Sequence, residues 1–251
     1  MMNRTLLFYF SIIILSISNC FNQSNRITES KVDFCVDARK DSFFFPHNQI
    51  SFTRIVEKTK FGKTDLDFVQ KYKDELEIIE TLYSRRELAV AKSKAEELLK
   101  KGSEASSIRE LYGRILYAFY RGKTTEKLKF AFPVYENLLK DLDQSGVEDA
   151  GSDHHPKSII YHDHIDTYWK IGTLYLDRAE YANGSLEIQR AVVAHLHTTK
   201  NTNLNQRFLD EAYGFLTEAF FFLKDLKNNN FYYCKAKINN PNNTYVDKYK
   251  L

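Results

Sequence analysis

Apolar side chains recur at steps of three and four residues along most of the chain, which is the period of amphipathic α-helices. Between Tyr168 and Pro241, one such spacing occurs twice. Each copy begins at a tyrosine and places apolar, small and large residues at offsets of 3, 4, 7, 16, 20 and 23. Gly172 is the small residue at offset 4 in the first copy, and Thr217 takes that position in the copy that starts at Tyr213. We expect each copy to form two antiparallel helices whose backbones approach closely at the small residue.

A weaker form of the pattern extends toward the N-terminus. Thr64 or Asp65 is placed to begin a helix that continues to Tyr83, and Gly102 is placed to end the helix after it. Pro133 interrupts a further helix that the pattern predicts at 124–141. The pattern therefore predicts an all-α fold of about four helix pairs. The predicted pairs lie near residues 72–105, 106–141, 165–198 and 210–241, with a loop at 142–160 and a tail at 242–251.

These spacings resemble the tetratricopeptide (TPR) repeat, a unit of about 34 residues made of two antiparallel helices with the same residue classes at the same offsets. Ile79 and Gly113 occupy successive small positions 34 residues apart, so the weaker first pair also fits. The resemblance implies that residues 64–241 form an α-solenoid, in which insertions fall in loops between repeats. The extra residues after the third pair are then expected in a loop at 198–205.

The first twenty residues differ in composition from the rest of the chain. Arg4 is their only charged residue, and 6–17 is apolar apart from two serines. This run is too short to cross a bilayer and is typical of a secretory signal peptide. The sequence Ile17-Ser18-Asn19-Cys20 resembles the end of a bacterial lipoprotein signal, although Asn19 departs from the usual small residue. The resemblance implies lipidation at Cys20 and export to the cell envelope, with simple cleavage or an uncleaved anchor as alternatives.

Residues 21–63 are polar and follow no sustained period, so we expect a tether or an irregular N-terminal arm. Export would place the chain where disulfides persist. Cys35 and Cys234 are then the candidate pair. The alternative is two unpaired thiols, with Cys234 buried as a small hydrophobic residue.

Charge and motif content argue against several functional classes. The formal net charge of +3 comes with no arginine-rich stripe, so nucleic-acid binding has little support. The chain contains no glycine-rich phosphate-binding motif, no HExxH zinc-protease motif and no GxSxG nucleophile motif. We therefore expect a protein that is not an enzyme and that holds no cofactor.

Six of the seven histidines fall in two groups, within 154–164 and 195–197. If the two groups met, imidazole side chains could bind a divalent transition metal such as zinc or copper. The candidate ligands are His162, His164, His195 and His197. The alternative is a solvated polar loop, because residues two apart at the start of a helix do not share a face.

The TPR resemblance also predicts a binding surface. In that family the first helix of each pair lines a concave groove with the side chains that are not used for packing within the pair. The positions carried over to this groove are Trp169, Lys170, Thr173, Arg114, Tyr117, Phe215, Glu218 and Phe221. Aromatic anchors beside basic residues suit a protein or peptide partner that carries a carboxylate. The alternative is that the C-terminal tail or Phe43–Phe45 covers Phe221 and Phe222.

The leading hypothesis is a lipid-anchored TPR scaffold or adaptor that mediates protein–protein interaction at the bacterial cell envelope. One alternative is a lipoprotein that binds a metal or small ligand through its histidines. Another is a surface-exposed adhesin.

Overall fold

A computed structural model describes residues 35–39, 54–56, 63–150, 159–198 and 203–251, and these residues are mostly helical. The predicted signal peptide, Cys20 and most of the predicted arm lie outside the described residues. Within the described ranges the α-helices are α1 (Lys63–Lys71), α2 (Lys73–Ser84), α3 (Leu88–Leu99), α4 (Ser106–Phe119), α5 (Thr124–Phe130), α6 (Phe132–Ala150), α7 (Ile165–Asp177), α8 (Tyr181–Thr198), α9 (Asn203–Phe222) and α10 (Leu226–Asn239). None of these helices is both long and apolar enough to span a membrane.

The two copies of the duplicated spacing form two helix hairpins, α7–α8 and α9–α10. Three-residue turns join the helices of each hairpin, so the two helices run antiparallel. At Gly172 the helices are so close that an added Cβ would lie 2.7 Å from Ile188 Cγ1 and 3.1 Å from the Ile188 backbone nitrogen. In the second hairpin, Thr217 is fully buried, and its carbonyl accepts a hydrogen bond of 2.8 Å from Asn229 Nδ2. The small positions therefore lie at the closest approach of the paired helices.

The helices surround two apolar cores. The first core is formed by the four helices α1 to α4 and includes Phe68, Ile79, Leu98 and Ile108. The larger core lies among α6 to α10 and includes Tyr168 and Ile188 among its fully buried residues. The N-terminal and C-terminal parts of the stack thus each bury their own apolar faces.

The helix predicted from Thr64 or Asp65 to Tyr83 is wrong in one respect, because α1 and α2 are separate. Tyr72, between them, has a non-helical backbone conformation with φ −117° and ψ 29°. The Asp65 carboxylate instead accepts hydrogen bonds from Ser106 Oγ at 2.9 Å and from the Ser107 backbone N–H at 3.2 Å. Asp65 therefore satisfies donors at the start of α4, where a carboxylate is favourable.

The helix predicted at 124–141 is interrupted at Ala131, between α5 and α6. Pro133 lies in the first turn of α6, where its missing N–H removes no helical hydrogen bond.

The loop predicted at 142–160 is wrong over 142–150, because α6 continues to Ala150. Leu142 is buried in the larger core, and Asp143 Oδ1 accepts a 2.8 Å hydrogen bond from Arg190 Nη2. These tertiary contacts favour helix in a segment whose polar composition alone suggested a loop.

The loop predicted at 198–205 is also shorter than expected. The helix α8 has 18 residues and α9 has 20, whereas α7 has 13 and α10 has 14. Leu196, Phe208 and Leu209 of the longer helices pack against the core. Most of the extra length therefore lies in helices.

The N-terminal arm contacts the helical stack at two described places. Residues Arg54–Val56 (β1) pair in parallel with Ile159–Tyr161 (β2), just before α7. Farther back, a disulfide joins Cys35 to Cys234 of α10, the pair that the sequence marks as candidates. Ala38, in a 3₁₀ turn at Asp37–Arg39, is buried beside this link.

Candidate binding groove

The helix pairs α2–α3 and α4–α5 are two further hairpins before α7–α8 and α9–α10. The first helices of these four hairpins face a concave cavity of about 660 Å³, here called the groove. Seven of the eight side chains predicted for a binding surface line this cavity. They are Arg114, Tyr117, Trp169, Lys170, Thr173, Phe215 and Glu218. Because they come from α4, α7 and α9, the groove depends on the stacking of the hairpins.

Phe221 is the exception, since it does not line the groove. Its ring centroid lies 5.8 Å from that of Tyr249 and 5.4 Å from that of Phe222. Tyr249 belongs to the C-terminal segment, which forms a 3₁₀ turn at Val246–Tyr249 with Val246 fully buried. The C-terminal tail therefore packs on Phe221, which is the alternative expected from the sequence. Phe43–Phe45 lies outside the described residues.

One wall of the groove is aromatic. The Trp169 ring lies 5.1 Å from Phe208 and 5.5 Å from Phe215, measured between centroids. Tyr245 extends this wall, because its ring meets Phe215 at 6.2 Å and its hydroxyl donates a hydrogen bond to Glu218. Burial, followed by the contact with Glu218, raises the pKa of Tyr245, so the phenol stays neutral. The wall can accept an apolar or aromatic side chain.

Sequence reasoning missed Tyr245 as a groove residue. The tail folds back because Asn243 Nδ2 bonds Asp210 Oδ1 at 2.6 Å and the Asn243 side chain accepts from the Tyr245 backbone N–H at 3.0 Å. Tyr245 and Tyr249 stand four residues apart in the sequence, but that spacing does not reveal the turn that brings Tyr245 to α9.

The floor of the groove is polar and centred on Tyr117. The Tyr117 hydroxyl is 2.9 Å from Thr173 Oγ1. Two ammonium groups approach the face of its ring, Lys170 Nζ at 4.5 Å and Lys127 Nζ at 5.0 Å from the centroid. Lys127 also pairs with Asp177. These contacts fix the floor side chains to each other before any ligand binds.

The opposite end of the groove is basic. Arg114 Nη2 lies 2.5 Å from Glu80 Oε1, and its guanidinium is 5.6 Å from the centroid of the Tyr83 ring. Arg86 and Arg121 also line the groove, and neither forms an ion pair with a described residue. Their charges are therefore available to an anionic group of a ligand.

Beside the groove, Glu110 of α4 meets the turn His162–His164 and the start of α7. His164 Nδ1 is 3.8 Å from Glu110 Oε2, and the Thr167 hydroxyl donates to Glu110 Oε1 at 3.4 Å. Burial raises the pKa of Glu110 to about 7 and lowers the pKa of His164. The pair therefore places a carboxyl that titrates near neutral pH beside an imidazole whose neutral form is favoured, between the N-terminal and C-terminal parts of the stack.

The histidines predicted as metal ligands lie in different surroundings where they are described. His164 is buried near Glu110, the His195 ring packs 4.4 Å from Phe208, and His197 is exposed. The His162 side chain lies outside what the structure describes. Among the described side chains, no group of three or more His, Cys, Asp or Glu is placed to hold a metal.

Comparisons with protein-family models, with curated proteins and with solved structures found no match for this chain. The side chains of the groove are therefore the main guide to function.

Proposed function

We propose that this chain is a TPR-like scaffold that binds a segment of another protein in the groove. One observation supports this function above all: side chains that the repeat spacing assigns to a concave face converge on one cavity of about 660 Å³. Concave surfaces that span several repeats are the usual binding sites of stacked helical hairpins.

The chemistry of the groove supports a partner segment that carries an apolar or aromatic residue near an acidic one. The wall formed by Trp169 and Phe215 buries the apolar residue, as aromatic anchors do at interaction surfaces. Arg86 and Arg121 bind the carboxylate. The hydroxyl of Thr173 is bonded to Tyr117 and to the Lys170 carbonyl, so it is held as part of the floor. These features support binding rather than catalysis.

We place this scaffold at the bacterial cell envelope, attached through a lipid on Cys20. The support is the apolar run at 6–17 followed by Cys20. Growth with an alkyne-labelled fatty acid should label the wild-type chain but not Cys20→Ala. An unlabelled wild-type chain would remove the lipid anchor from the proposal.

The groove is tested by selecting peptides on the full-length chain from a display library and measuring their affinity. We expect selected peptides to combine an aromatic and an acidic residue. Trp169→Ala should weaken their binding by roughly tenfold or more, because an aromatic anchor is lost. Arg121→Glu should weaken binding by repelling the acidic residue.

Phe222→Ala is the matched control, since Phe222 is an exposed aromatic residue outside the groove lining. Circular dichroism should show that Trp169→Ala keeps its helices. Equal loss of binding in Trp169→Ala and Phe222→Ala, or selected peptides without acidic residues, would contradict this assignment of the groove.

A further inference from the structure

The turns within the helix hairpins lie along one edge of the stack, here called the turn edge. They span 85–87, 120–123, 178–180 and 223–225. Each contains one residue with positive φ: Arg86, Gly122, Ala179 and Lys224. Arg86, Arg121 and Gly122 line the same cavity, Lys127 pairs with Asp177, and the Tyr181 ring stacks on Phe222 at 4.5 Å. The shared cavity, the ion pair and the ring stacking place the four turns in succession along this edge.

Large apolar side chains at this edge are exposed. Their relative exposure ranges from 38% to 56%. They are Phe119, Phe130, Phe222, Leu223 and Leu226. Tyr120 stacks on Phe130 at 5.1 Å and meets Phe119 edge to face at 5.0 Å, so the second turn carries an aromatic cluster. None of these five side chains lines either described cavity, so they project from the turns rather than into a cleft.

Basic side chains surround these apolar residues. Six of them are exposed and form no ion pair with a described residue: Arg85, Arg86, Arg121, Lys123, Lys224 and Lys227. Several nearby acidic groups are already engaged. Glu180 pairs with Arg178 at 2.8 Å, and Asp225 accepts hydrogen bonds from the Asn228 backbone and side chain. Because Asn228 is neutral, its hydrogen bonds leave the charge of Asp225 in place. Against the six cations stand Glu87, Glu126 and Asp225, so the edge still has an excess of positive charge.

We propose that the turn edge rests on an anionic phospholipid bilayer. Protruding apolar tips surrounded by lysine and arginine suit a lipid surface, because the rings enter the interface while the cations meet phosphate groups. A folded protein partner would instead need a concave complement to these convex tips. Phe119, Phe222 and Leu226 enter the interface, and Lys123, Lys224 and Lys227 lie at the headgroups.

This contact stands on the turn residues alone and does not require the groove to bind a peptide. It would also add to a lipid anchor, because both would hold the chain at the same bilayer. Since Arg86 and Arg121 belong to both surfaces, the groove would open close to the bilayer.

Hydrogen exchange on the full-length chain tests the contact. The chain is mixed with vesicles of phosphatidylcholine alone, or with vesicles in which part of this lipid is replaced by phosphatidylglycerol. On anionic vesicles we expect slower amide exchange at 119–124 and 222–227, but not at 100–105, the turn between α3 and α4 on the other edge. The neutral vesicles control for attachment through the N-terminal segment. Unchanged exchange at the turn edge on anionic vesicles would overturn the proposal.

Charge reversal gives the second test. The variant Lys123→Glu, Lys224→Glu, Lys227→Glu should lose affinity for the anionic vesicles by about 100-fold or more, given roughly 1 kcal/mol for each basic residue at such a surface. The control variant Lys71→Glu, Lys94→Glu, Lys100→Glu changes the net charge equally at exposed positions away from the turn edge. Both variants should keep the wild-type melting temperature within a few degrees. Equal loss of affinity in both would show a general charge effect and overturn the turn edge as the contact.

The two proposals fail separately. Trp169→Ala should leave the vesicle-dependent exchange at the turn edge unchanged, because Trp169 lies on the groove wall. A chain that protects its turn edge on vesicles but selects no peptide would contradict only the function proposed for the groove.

Discussion

Arg190 shows how a charged side chain takes part in the larger core. It is 1% exposed, and its two terminal nitrogens bind Glu187 Oε2 at 3.0 Å and Asp143 Oδ1 at 2.8 Å. The guanidinium also lies 4.8 Å from the centroid of the Tyr168 ring. One residue of α8 is thereby linked to α6 and α7. A buried charge is tolerated only when it is paired in this way.

Removing the arginine should therefore cost more than removing the pair. We expect Arg190→Leu to lower the free energy of unfolding by about 3–5 kcal/mol, because the buried Glu187 loses its ion pair with the Arg190 guanidinium. The double variant Glu187→Leu, Arg190→Leu should lose less than Arg190→Leu, since Asp143 is closer to solvent. Urea denaturation measures both values. A double variant as unstable as the single one would show that the charge pairing is unimportant.

Glu110 should make stability depend on pH. Its folded pKa of about 7 is above the ordinary value of 4.5, so between these values the folded state binds more protons than the unfolded state. Its contribution is complete below pH 4.5 and is lost as the pH rises through 7. The side chain retains 26% exposure, so we expect a loss of only about 1–2 kcal/mol between pH 5 and pH 8.

The substitution Glu110→Gln isolates this effect. Relative to wild type, the variant should gain stability by that amount on going from pH 5 to pH 8, measured by urea denaturation. His164 acts in the opposite sense, because its lowered pKa makes its contribution fall as the pH drops below 6.5, but it is present in both proteins. Glu97→Gln, at an exposed carboxylate, is the control. Parallel pH profiles for Glu110→Gln and wild type would contradict the prediction.

At the scale of elements, the hairpins depend on the close approach of helix backbones. An added Cβ at Gly172 meets the Ile188 backbone nitrogen at 3.1 Å and the Gly184 carbonyl oxygen at 3.3 Å, and neither atom can rotate away. At Gly214 of α9, the nearest atom would be Tyr245 Cδ1 at 3.2 Å, which belongs to a movable side chain.

The two glycines should therefore respond differently to alanine. We expect Gly172→Ala to lower the free energy of unfolding by about 1–3 kcal/mol through overpacking. Gly214→Ala should be nearly neutral, since the gain in helix propensity of about 1 kcal/mol offsets a small shift of Tyr245. Gly172→Leu should prevent the hairpin from packing. Thermal unfolding distinguishes these outcomes, and equal melting temperatures for the two alanine variants would contradict the packing argument.

The sequence revealed elements where local spacing and packing agree. Gly172 and Thr217 predicted the two hairpins correctly. The residues at the offsets of the duplicated spacing are also those that each helix buries against its partner. The break at Tyr72 and the extension of α6 to Ala150 depend on contacts that are distant in sequence, such as the bond between Asp143 and Arg190. The local spacing of apolar residues does not predict such contacts.

The groove residues could likewise be predicted only where they depend on the local spacing. Trp169 and Phe215 follow from the position of each residue in the duplicated spacing. The observed groove contains Tyr245 and lacks Phe221 because the tail folds back on α9. The hydrogen bond between Asn243 and Asp210 holds the tail there, and the spacing of apolar residues does not predict it.

At the scale of the whole molecule, the disulfide between Cys35 and Cys234 joins residues separated by 199 positions. Such a link restricts the unfolded chain, and its loss typically costs about 2–4 kcal/mol. We expect Cys35→Ser with Cys234→Ser to lower the free energy of unfolding by this amount. Wild-type protein in reducing agent should match the variant in urea denaturation, whereas Cys20→Ser should not change it. Wild-type stability that is insensitive to the reductant would contradict this expectation.

The same link decides how a pulling force would pass through the molecule. Tension applied to the chain before Cys35 and to its last residue reaches α10 directly through the sulfur atoms. The covalent path then continues only through the residues after Cys234, so α1 to α9 lie outside it and are loaded only through their non-covalent contacts with the tail. With the bond intact, stretching would unravel the short end of the protein and leave the groove helices folded; with the bond reduced, every hairpin would extend in turn.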